Sequence, residues 1–117
     1  MDLIDLVRAL LRFDTLSARQ WLADAARAGV VWSEVPAPLG LDQTESALAA
    51  GVVELMAARA GQPPPAWAAD MPPAPKTRFL VSSAATMPCL RAACERDGPE
   101  ALRRRGFLAP PDFLTIA

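Results

Sequence analysis

Histidine and tyrosine are absent from this chain, and its chemistry-bearing side chains are chiefly arginines, carboxylates and two cysteines, with a single lysine, Lys76. Without His there is no side chain that ordinarily titrates near neutral pH, no imidazole metal ligand and no Ser-His-Asp triad. Cys89 and Cys94 stand five residues apart and point to different faces if they share a helix, so a local disulfide is not expected. They also lack a His to form a nucleophilic pair and further ligands to hold zinc, and they read as small buried hydrophobes. Glu54, Glu95, Asp70 and Asp112 offer carboxylates, but no two have a spacing that implies acid/base work or a metal site. Asp2 and Asp5 fit the first turn of a helix, where the macrodipole favours negative charge. With no glycine-rich phosphate loop and no helix-turn-helix consensus, the chain reads as a non-enzyme without cofactor or metal.

Binding chemistry is better represented. Arg103, Arg104 and Arg105, followed by Gly106 and Phe107, place three guanidinium groups at the end of a short helix. They could meet an acidic protein face or a phosphate backbone, or instead cap their own helix and pair with Glu100, Asp97 or the acidic N-terminal half. Trp21 falls on a helical face and reads as core. Trp32 and Trp67 lie in non-helical context and are candidates for a hot spot or groove wall.

The elements that must position these groups follow from patterning. The chain has 117 residues, 52% of them apolar and 21% charged, and 12 prolines, which is globular composition of one-domain length. Five basic and eight acidic residues in positions 1–60 give a net −3, and seven against five in 61–117 give +2. That dipole could orient a partner, whereas the total of −1 is a weak footprint for nucleic acid. The first residues carry Asp2, Asp5, Arg8 and Arg12 and read as neither an export signal nor a membrane span; with two unpaired cysteines, a cytoplasmic location is the expectation.

Leu3, Leu6, Val7, Leu10 and Leu11 have helical spacing. After a break at residues 13–15, Ser17 three residues before Gln20 suggests a capping box opening a second helix that stops at Gly29. Asp42 and Glu45 form a second box, for a helix running to about Ala60 and closing at Gly61. Gly51 inside it leaves room for another helix or is simply a propensity cost, and Arg59 is expected to lay its stem along the helix edge. Residues 62–75 read as a Pro-rich strap, with one helical turn around Trp67, in preference to an interdomain linker. Residues 77–81 read as extended. A helix over Met87–Asp97 capped by Thr86, a further turn or two over Pro99–Arg105, and a docked apolar tail over 107–117 complete the chain. The expectation is a single all-α domain over 1–117: a small bundle of four to five short helices with Pro-rich extended connections, and at most a minor two-stranded element.

The runs Pro63-Pro64-Pro65-Ala66-Trp67 and Leu102–Leu114 resemble a group of small bacterial helical proteins and domains with a PPPxW element and a near-terminal RRRG(F/V) element. Some members are antitoxin-like and encoded beside toxin-like, nucleotidyltransferase-like genes. The resemblance extends over residues 3–114, with its specific motifs at Pro64–Trp67 and Pro99–Phe107. It implies partner binding, with Trp67, Arg103, Arg104 and Phe107 at matching motif positions and no catalytic residue. The separate N-terminal DNA-binding domain of fused members has no counterpart here, so autoregulation by DNA binding is not implied. The leading expectation is thus a protein-binding module, acting on a toxin-like enzyme or similar partner through Trp32, Trp67, Arg103, Arg104, Arg105 and Phe107. The alternatives are a nucleic-acid accessory protein working through Arg103–Arg105 and a small homo-oligomeric scaffold joined through the apolar tail.

Overall fold

The computed structural model describes residues 2–115. Helix α1 (Leu3–Leu11) starts at Asp2, whose carboxylate accepts from the Ile4 N–H, and it buries Leu3, Leu6, Val7, Ala9 and Leu10. It ends in a Schellman turn: the Phe13 N–H donates to the Leu10 carbonyl and the Asp14 N–H to that of Ala9. The same pair of bonds closes α2 (Thr15–Arg27) at Gly29 and α3 (Gln43–Arg59) at Gly61. Glycine supplies the left-handed backbone at those two ends, with φ of 68° at both, but at the end of α1 Phe13 takes it, with φ 61°.

Helix α2 begins three residues earlier than the Ser17–Gln20 spacing suggests. The Asp14 side chain accepts from the Ser17 N–H at 3.1 Å and so takes the capping role, while the Gln20 amide donates to Asp24 instead. Both halves of the Asp42–Glu45 box are formed. Helix α3 is buried from Ala47 to Ala57 except at Glu54, far beyond a single stripe, because it is the central element: α1, α4 (Ala66–Ala69) and α6 (Glu100–Arg103) all pack on it. Gly51 is where α6 crosses. A Cβ there would stand 2.9 Å from Leu102 Cδ2 and 3.2 Å from the Ala101 carbonyl oxygen, so the small residue is what lets α6 approach.

The Pro-rich segment folds back on the rest. Gln43 donates to the carbonyls of Pro72 and Pro73, and the Ala74 N–H donates to the Arg105 carbonyl. Two-residue strands β1 (Arg78–Phe79) and β2 (Phe107–Leu108) then pair in parallel, Arg78 opposite Phe107. Between them lie a 3₁₀ turn at Ser82–Ala85 and α5 (Pro88–Asp97). Thr86 does not cap α5: its hydroxyl donates to the Ser83 carbonyl, and Met87 is the cap residue, without a side-chain bond. Over the tail, Phe113 and Leu114 are buried, and Arg59 donates to the carbonyls of Phe113 and Pro111 at 2.6 and 3.5 Å. The last two tail positions lie outside the described residues. The outcome is a small all-α bundle with a radius of gyration of 13.3 Å, compact for its length. Among the described residues no helix is long and apolar enough to cross a membrane.

Candidate functional site

The arginine cluster turns inward. Arg105 is 3% exposed, and its guanidinium forks onto Glu54, with Nη2 to Oε1 at 2.6 Å and Nη1 to Oε2 at 3.1 Å. Nη1 also donates to the Ala101 carbonyl at 2.9 Å and Nη2 to that of Ala68 at 2.6 Å. One side chain therefore ties α3, α4 and α6 together, and only its buried Nε lacks a partner. Arg104 shares the same carboxylate from the solvent side. Arg103 is exposed and donates to the Arg96 carbonyl at 2.5 Å, placing a cation at the negative end of α5.

This geometry corrects the sequence-based site. Arg105, Phe107 and Trp32, at 3%, 0% and 6% exposure, are buried and cannot themselves touch a partner. Phe107 fills the core as part of β2, and the Trp32 side chain sits in the core while the Trp32 backbone N–H donates to Gln62 Oε1. Trp67 is half-buried, with its indole N–H donating to the Val35 carbonyl at 2.8 Å. Arg105 donates to the carbonyl of Ala68, the residue after Trp67 in α4. Arg103 and Arg104 remain exposed, each engaged within the chain.

A different apolar surface is open. After the Schellman turn at Gly29, Val30 and Val31 lead into a 3₁₀ turn at Trp32–Glu34: Val30 is half-buried and Trp32 is buried, while Val31, the residue that caps the turn in an extended conformation, is 46% exposed. Prolines 36 and 38 then keep the chain extended as far as Leu39, which is 85% exposed. Val31 is thus a ridge between two grooves. One, of about 760 Å³, lies between α2, the end of α3 and the tail, with Leu22, Ala26, Met56 and Leu114 among its walls and Arg59 at its edge. The other, of about 630 Å³, is formed by Ile4, Trp21, Val35 and Leu39, with Asp2 and Glu34 also lining it. The charged lining differs in sign, Arg59 in the first groove and Asp2 and Glu34 in the second. Desolvation by burial holds the Arg59 pKa below the usual arginine value, and neighbouring Asp112 opposes that shift.

Comparison with family models, curated proteins and solved structures found no match. The site therefore rests on its own geometry.

Among the described residues no group of three or more His, Cys, Asp or Glu side chains is placed to hold a metal ion. Cys94 is buried, and desolvation, with Glu95 adding to it, pushes its thiol above the usual pKa, away from the reactive thiolate; Cys89 is exposed. Val31 and Leu39 were missed as site residues because three apolar residues in a row specify neither helix nor strand. The available signal was Gly29 followed by Val-Val-Trp and two spaced prolines, a short irregular link between helices that cannot bury every one of its apolar side chains.

Proposed function

We propose that this protein is a non-enzymatic binding module that engages another protein across the Val31 ridge and the two grooves beside it. The single observation behind this reading is the solvent-exposed Val31 standing between two apolar grooves that continue on either side of it. The occupant that suits them is a partner segment with two apolar anchors, one on each side of Val31. Complementary charge fixes its direction: a carboxylate beside Arg59 and a cation beside Asp2 and Glu34. Neutralising or regulating a toxin-like enzyme, in the manner of an antitoxin, is the biological role this reading favours, in a cytoplasmic setting.

The test is a calorimetric titration of the partner captured from the source cell against three forms of the chain. Val31→Glu should weaken binding at least about tenfold while the protein stays folded, because it sets an unpaired carboxylate in the middle of an apolar contact. Arg103→Gln, at an exposed position away from both grooves, should leave affinity within about twofold. Equal affinity for Val31→Glu and the native chain overturns the proposal. If Arg103→Gln alone abolishes binding, the interface lies on the arginine side and the proposal is likewise overturned.

A further inference from the structure

Phe13 breaks two local rules together. It holds a left-handed backbone position, φ 61°, that glycine fills at the ends of α2 and α3, and the residue is 44% exposed. Leu114 also has positive φ, at 57°, but is 1% exposed, so core packing offsets its backbone cost. Phe13 has no such burial. Where a chain keeps a locally unfavourable residue at its surface, a binding role is the first explanation to examine.

Phe13 borders a concavity of about 350 Å³ together with Phe79, Val81, Ser82, Arg78 and Arg91. This is the small end of the range for ligand sites. Arg91 lies over the Phe79 ring, its Cζ 5.4 Å from the centroid, with Glu95 3.5 Å from its Nε. Arg78 is exposed at the edge of the strand pair, and Arg12, next to Phe13 in sequence, is paired with Asp14 at 3.8 Å. Phenyl faces beside guanidinium groups take a planar ring by stacking and a phosphate by charge-assisted hydrogen bonds. A purely apolar segment would leave both guanidinium groups unused, and a bare anion would leave the exposed phenyl unused.

We propose that this concavity binds a nucleoside phosphate, its base stacked on Phe13 and its phosphate held by Arg78 and Arg91, either as a free nucleotide or as one unit of a single strand. The Ser82 hydroxyl lines the same space and can serve the sugar or a phosphate oxygen. Glu95 beside Arg91 and the chain's net charge of −1 weigh against a long duplex.

The test titrates the full chain with AMP, with a short oligodeoxythymidylate and with inorganic phosphate, read by calorimetry and by backbone amide shifts. AMP or the oligonucleotide should bind more tightly than phosphate and shift the amides around Phe13 and Phe79. Phe13→Gly, which suits the left-handed backbone, should weaken that binding roughly tenfold while the protein stays folded, and Arg78→Gln should weaken it too. Preference for AMP supports a free nucleotide, and preference for the oligonucleotide supports a strand. Phosphate binding as tightly as either, no binding of either at millimolar concentration, or affinity unchanged in Phe13→Gly overturns the proposal. None of these readouts involves Val31, so its outcome is separate from that of the protein-binding reading.

Discussion

Removing Glu54 should harm the fold more than removing the arginine that binds it. In Glu54→Ala the Arg105 guanidinium, 3% exposed, keeps its bonds to Ala68 and Ala101 but loses its counter-charge. Stranding a buried charge in this way costs about 3–5 kcal/mol. In Arg105→Ala the carboxylate still has Arg104 as partner, and the loss is confined to hydrogen bonds and packing, about 2–3 kcal/mol. Either value is a large part of the roughly 5–15 kcal/mol that holds a domain of this kind together. Glu54→Met combined with Arg105→Met should regain most of the loss, since two apolar side chains leave no unpaired buried charge. Urea unfolding followed by tryptophan fluorescence measures all four proteins. Arg103→Gln is the surface control and should stay within about 0.5 kcal/mol of the native chain. If Glu54→Ala costs less than about 1 kcal/mol, the ordinary worth of an exposed pair, the buried clasp is refuted.

Three further outcomes follow from local geometry. Gly51→Ala should destabilise by about 1–2 kcal/mol in the same unfolding assay, because overpacking against Leu102 and the Ala101 carbonyl outweighs the gain of about 1 kcal/mol in helix propensity. Hydrogen bonding to Ser17, with Arg12 adding charge, lowers the Asp14 pKa below 3.8, so its capping contribution is fully present above the unfolded-state pKa and lost as pH falls through the lower folded value. Amide protection at the start of α2, taken relative to the intrinsic exchange rate at each pH, should therefore fall in the native chain over that acidic window, and Asp14→Asn should remove this step. Cys89 should react with a thiol reagent in the folded protein and Cys94 only on unfolding; equal rates would contradict the burial of Cys94.

The elements were legible where the determinants are local. Asp42 and Glu45 are three residues apart and form the expected box, and Gly29 and Gly61 end their helices as expected. The Ser17–Gln20 spacing does not mark the start of α2, because Asp14 caps the helix one turn earlier by accepting from the Ser17 N–H itself. Gly51 announced a close approach without naming α6 as the visitor. The arginine run was legible as a cluster but not as a clasp, since its partner Glu54 lies 51 residues from Arg105 and no pattern links the two. Burial of Trp32 and Phe107 likewise depends on which segments meet. Phe13 is the subtlest case: the sequence shows a break there, but only the backbone reveals that phenylalanine stands where glycine would serve.

The measurement closest to the proposed function is site-directed photo-crosslinking inside the source cell. A benzophenone side chain placed at Val31 should join the chain to one discrete partner protein, while the same group at exposed Ala92 on α5 should not. A crosslink from position 92 as strong as that from position 31, or none from position 31, would contradict a partner seated across the Val31 ridge.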